Sequence, residues 1–219
     1  MKWLGIDLEV NRIGVWNIGL AVFAGKHCLD KVNLFVEDTF TENPAQGFGP
    51  KYFKSRTTIN RSLRPVWVQT LADADAIASV WIRGHGFSRS FGYNSVAFDL
   101  NKMGPLPTTL ALLNSKPHID VMPLAFAYLT SRVSYKAYWE SQVALGNTHS
   151  GDVNYKKFGA ELVLNYIGHI RSKGAWTWKS EPHIGAEDLI GFEYPILHYF
   201  MRLLKKGMAP VVKEKNKKW

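Results

Sequence analysis

Lys2-Trp3-Leu4-Gly5-Ile6-Asp7-Leu8 and, after a short turn, Val15-Trp16-Asn17-Ile18-Gly19-Leu20-Ala21-Val22-Phe23 decide how this chain folds. The first run reads as a strand, and its apolar density suits a central strand buried on both faces. Asn11, Arg12 and Gly14 make a turn, and the second run reads as a second strand. Gly25-Lys26 turns the chain again, and Asp30 to Asp38 alternates as an antiparallel partner does. Three strands joined by short turns predict an N-terminal antiparallel meander.

Residues 41–65 read as a loop containing Asn43-Pro44, Gly47, Gly49-Pro50 and the basic residues Lys51, Lys54, Arg56, Arg61 and Arg64. A solvated loop accounts for this run, and phosphate contact is its functional alternative. Helical spacing covers 66–79, and Ala78-Ser79-Val80-Trp81-Ile82 reads as a fourth strand. A turn follows at Gly84 and Gly86. A helix starts near 95 with Asn94 as its cap and stops at Pro105 and Pro107. His118 to Met122 is strand-like, and Pro123 to Leu129 is helical. Tyr155 to His169 carries one apolar helical face. A last helix runs from Gly185 to Lys206, closed by Gly207 and kinked or split by Pro195, which cannot donate to the carbonyl of Gly191. Strands followed by alternating helices and strands predict an α/β layered fold.

Length and composition narrow the function. The chain has 219 residues, enough for one large domain with a substantial core, and 46% hydrophobic content argues against wholesale disorder. No apolar run reaches the roughly 20 residues that span a bilayer, and Asp7 and Glu9 interrupt the only early apolar stretch. A cytoplasmic, intracellular protein without a membrane partner is expected. The single cysteine, Cys28, excludes an intrachain disulfide and reads as a buried or half-buried thiol. A formal charge of +9 attracts polyanions, of which phosphate backbones are the commonest. Part of that excess crowds the C-terminus, where residues 208–219 read as a basic, flexible tail.

Asp7-Leu8-Glu9 places two carboxylates on one face of a strand, because side chains alternate with period two. Such a pair belongs either at a solvent rim or around a hard cation. His183 and Asp188, at the start of the last helix, can face one cleft. His85, between Gly84 and Gly86, reads as an ordinary loop residue, and His118, His149, His169 and His198 lack metal-ligand spacing and default to structural roles.

Gly92-Tyr93-Asn94-Ser95-Val96-Ala97-Phe98-Asp99 resembles the Asn-x(2–3)-Phe/Tyr-Asp motif of the DEDDh (DnaQ-like) 3′–5′ exonucleases. Asp7-Leu8-Glu9 resembles that family's first motif, and His183 to Asp188 its His-x(4)-Asp third motif. Ile119 to Ala125 is similar to the acid-containing strand-to-helix step that follows the second motif. The resemblance runs from residue 3 to about 204 in chain order, although only about a dozen positions carry it.

The resemblance implies a ribonuclease-H-like mixed sheet flanked by helices, with an exonuclease domain over 1–207. It implies hydrolysis of phosphodiester bonds at 3′ ends of single-stranded or frayed DNA or RNA, with two Mg²⁺ or Mn²⁺ ions. Asp7 would bridge both ions, Glu9 and Asp188 would serve the ion holding the nucleophilic water, and Asp99 the second ion. His183 would be the general base, and Val10, Asn11 and Asn94 would contact substrate. Val10 stands where the family usually has a small hydroxyl residue, and residues 131–175 form a candidate insertion that shapes access or self-association into a homo-oligomer. The alternative is a non-catalytic nucleic-acid-binding module on the same fold.

Overall fold

The computed structural model describes residues 1–41, 56–63, 65–132 and 184–205. The expected helix over Tyr155 to His169, the candidate insertion beyond residue 132, His183 and the basic tail lie outside the described residues. The chain divides into two compact units, Met1–Val121 with Lys179–Tyr194 and Met122–Trp178 with Pro195–Trp219.

A six-stranded sheet organises the first unit. The meander is β1 (Lys2–Val10), β2 (Val15–Ala24) and β3 (His27–Val36). Added to it are the short strands β4 (Val66–Val68), β5 (Arg89–Gly92) and β6 (His118–Asp120). Strand order is β4-β3-β2-β1-β5-β6, with the meander antiparallel and the β3–β4, β1–β5 and β5–β6 pairs parallel. Central β1 separates two environments by its alternation. Leu4, Ile6 and Leu8 face one way, into a core with Ile18, Leu20 and Leu34 and with Ala74, Ala78 and Ile82 of the helix over Leu71–His85. Trp3, Gly5, Asp7 and Glu9 therefore share the other face. There Trp3 meets Phe91 edge to face, and Tyr194 stacks on Phe23 with ring centroids 3.8 Å apart.

Helices α1 (Arg56–Leu63), α2 (Leu71–His85), α3 (Asp99–Lys102) and α4 (Pro107–Asn114) complete this unit, along with α6 (Gly185–Asp188) and a π-helical turn, Leu189–Glu193. The second unit's described residues belong to α5 (Val121–Arg132) and α7 (Tyr194–Lys205), which begin at the boundary. On α7, Tyr199 and Phe200 meet edge to face. No described helix is long and apolar enough to cross a membrane.

Several local expectations are corrected. The strand over 78–82 is the middle of α2, and the helix over 66–79 divides into β4 and the start of α2. The cause is a reciprocal cap: the Thr70 hydroxyl accepts from the Asp73 N–H while the Asp73 carboxylate accepts from the Thr70 N–H. Such caps stabilise a helix start by about 1 kcal/mol. Pro107 opens α4 instead of ending a helix, the first turn being where a missing N–H costs least. The loop over 41–65 contains α1, whose Arg56 pairs with Glu37 and lies over the Trp67 ring. Cys28 is exposed. The helix start near 95 is a turn, with Asn94 at φ +58° and the helix beginning at Asp99.

Candidate metal centre

Asp7, Glu9 and Asp188 each offer a carboxylate oxygen, and these oxygens lie within 4.8 Å of one another. Two come from one face of β1; the third arrives from far along the chain because backbone packs on backbone. Gly19, directly opposite Asp7 in the β1–β2 register, lies against Gly185 at the start of α6. A methyl at position 185 would sit 2.6 Å from the Asp7 carbonyl oxygen and 2.7 Å from the Gly19 nitrogen. Only glycines at both positions permit that approach.

Side chains of the sheet then hold α6 in place. A helix start leaves unpaired N–H groups, and Ile184, at the cap position of α6, makes no side-chain hydrogen bond there. Instead the buried Asn17 side chain accepts from the Gly185 N–H at 2.9 Å, and the buried Asn33 side chain from the Ala186 N–H at 3.0 Å. The Asn17 amide also donates to the Leu34 carbonyl. Lys31 bonds the Glu187 carboxylate at 2.8 Å. Asp188 is thereby held on the sheet at three successive residues before it.

Asp99 reaches β1 from the turn after β5. It is 1% exposed, and its Oδ1 accepts the Leu8 N–H at 3.1 Å, one residue from both Asp7 and Glu9. The turn itself is gripped from β6. The Asp120 carboxylate accepts from the N–H groups of Asn94 and Val96, at 2.9 and 3.1 Å. The His118 ring lies between the hydroxyls of Ser90 and Ser95, at 2.9 and 2.8 Å from its two nitrogens. His118 thus has the structural role expected of it.

The electrostatics follow from crowding acids. Asp7 keeps some access to solvent, yet its carboxyl is enclosed enough that burial pushes its pKa well above the ordinary range. The charges of Glu193, Glu9, Asp99 and Asp188 add to that rise. Burial raises Asp99 to about 7, against the opposing hydrogen bond from Leu8. Carboxylates held in this state gain from a hard divalent cation, and an all-oxygen donor set suits Mg²⁺ or Mn²⁺. The residues present fit such an ion.

Of the predicted site residues, Asp7, Glu9, Asp99 and Asp188 come to one region of β1, and His183 lies outside the described residues. Val10, half-buried at the end of β1, packs beside the core. Asn11 is committed to the β1–β2 turn: its side-chain oxygen accepts from Ile13 and Gly14, and its amide donates to Thr39. Asn94 stands in the Asp120-held turn. Sequence reading missed Glu193, Asn17, Asn33 and Asp120's clamp. The chain matches no protein-family model and no curated protein.

Proposed function

We propose that the chain is a metal-dependent 3′–5′ exonuclease of ribonuclease-H-like fold, releasing nucleoside monophosphates from 3′ ends of single-stranded or frayed DNA or RNA. The observation that carries this reading is the meeting of Asp7, Glu9 and Asp188 oxygens within 4.8 Å of one another. A resemblance in sequence alone does not require residues so distant in the chain to converge. The buried Asp99 on the backbone of Leu8 supports it further, as does a meander continued by parallel strands on the β1 side.

Asp7, Glu9 and Asp188 would hold one divalent ion, and Asp7 with Asp99 a second. Two such ions, when bound, stabilise the attacking and leaving oxygens of an in-line displacement at phosphorus. His183, immediately before the cap position of α6, would take the proton from the attacking water, a role suited to a group that titrates near neutral pH. The chain's basic excess would draw the phosphate backbone toward the site.

The test is metal-dependent cleavage of 3′- and 5′-labelled single strands of DNA and RNA, followed with time. Stepwise shortening from the 3′ end that disappears with EDTA, with Asp7→Ala and with His183→Ala is the expected result. Binding without cleavage would assign the chain to the nucleic-acid-binding modules, and immediate mid-chain products to the endonucleases. Either outcome rejects the exonuclease reading.

A further inference from the structure

Five residues beyond Asp188 stands a second buried acid. We propose that Glu193 is a fifth carboxylate of the acidic site, supplying charge toward a divalent cation and tying the site to the turn that carries Asp99. The proposal rests on the reading of that site as a metal centre.

Helix geometry makes the placement. In a regular α-helix of about 3.6 residues per turn, a residue five positions on points roughly 140° away from the first. Here the chain between them is π-helical, over Leu189–Glu193, and the Tyr194 N–H bonds to the Leu189 carbonyl, five residues back. A turn that closes on the fifth residue returns Glu193 toward the face that carries Asp188. Pro195 accounts for the wider turn. Proline has no N–H to offer the fourth carbonyl back that a regular α-helix would use.

The surroundings point the same way. Glu193 is 5% exposed, and its Oε2 accepts the Tyr93 N–H at 3.1 Å. Tyr93 follows Gly92, which runs so close to β1 that a methyl there would lie 2.9 Å from the Ile6 carbonyl oxygen. Tyr93, which bonds Glu193, is therefore beside the strand segment that presents Asp7, and it opens the turn that leads to Asp99. The hydrogen bond to Tyr93 by itself does not need a charge, since glutamine can accept it as well.

Glu193→Gln separates the two roles because it keeps the acceptor and removes the charge. The measurement is calorimetric titration of the full-length protein with MnCl₂, wild type beside Glu193→Gln and Asp7→Asn, with melting of each metal-free protein. Glu193→Gln is expected to bind Mn²⁺ at least tenfold more weakly and, metal-free, to melt above wild type. Glu193→Asp, which restores the charge, is expected to recover part of the affinity. Wild-type Mn²⁺ affinity in Glu193→Gln, with binding lost in Asp7→Asn, overturns the part given to Glu193 and leaves the metal centre standing. Absence of Mn²⁺ binding by the wild type overturns both.

Discussion

Gly185→Ala tests whether the meeting of α6 with the sheet builds the site. The added methyl would lie 2.6 Å from the Asp7 carbonyl oxygen, 2.7 Å from the Gly19 nitrogen and 2.8 Å from its Cα, all backbone atoms that cannot swing aside. Ordinary contact begins at 3.4 Å, so α6 must retreat by the difference, 3.4 − 2.6 = 0.8 Å. Overpacking of this kind costs about 1–3 kcal/mol. The retreat also stretches the bonds from Asn17 and Asn33, each worth about 1 kcal/mol. The overpacking alone should lower melting by about 2–12 °C, at roughly 2–4 °C per kcal/mol for a chain of this size. Affinity should fall further than stability. Metal sites tolerate errors of about 0.2 Å in ligand distance, so Mn²⁺ should bind at least about tenfold more weakly. Gly19→Ala should be worse still. Gly84→Ala is the control: no atom of the described residues lies within 4 Å of its added methyl, and alanine favours the helix by up to about 1 kcal/mol. Melting and Mn²⁺ titration of the three variants decide it. If Gly185→Ala matches Gly84→Ala in both, the glycine contact does not set the site.

The raised acids give metal-free protein an unusual pH dependence. Folded Asp99 keeps to about pH 7 a proton that the unfolded chain releases near pH 4, so its contribution to stability is lost as pH climbs over that range, and the raised Asp7 carboxyl adds to the fall in the same direction. For Asp99 alone the loss between pH 5 and 7 reaches at most roughly 3 kcal/mol. Melting in EDTA should fall over that window, Asp99→Asn should flatten the fall, and a melting temperature that rises throughout contradicts the burial. Asn17→Ala strands the buried Gly185 N–H and should destabilise by about 1–3 kcal/mol, with weaker Mn²⁺ binding. Melting and binding equal to wild type would remove Asn17 from the account. Asp120→Ala takes the acceptor from two backbone N–H groups and should loosen the turn before Asp99. The expected reading is faster amide hydrogen exchange at Asn94 and Val96, and unchanged protection there counts against the clamp.

Much of the centre is legible in the linear chain because its causes are local. The meander follows from apolar density and turns, and Asp7 and Glu9 share a face because strands alternate. What escaped reading depends on partners from elsewhere. Ala78 to Ile82 has the β-branched and aromatic character of a strand, yet the cap at Thr70 and Asp73 and the buried Ala74, Ala78 and Ile82 make it helix. The capping of α6 was hidden because Asn17 and Asn33, which supply its acceptors, stand on two strands of the meander. Asn94 looks like a helix cap until Asp120 draws it into a left-handed turn. Glu193 sits off the Asp188 face at α-helical period, and only the wider turn before Pro195 returns it. Pro195 was itself the available signal, since a proline inside an apolar helical pattern marks a disturbed turn.

The most direct test of the account is anomalous scattering from crystals soaked in Mn²⁺. The account predicts a peak bounded by the carboxylates of Asp7, Glu9 and Asp188, absent from Asp7→Asn crystals soaked identically. No peak among those three residues at saturating Mn²⁺, in crystals where the carboxylates face solvent channels, would contradict it.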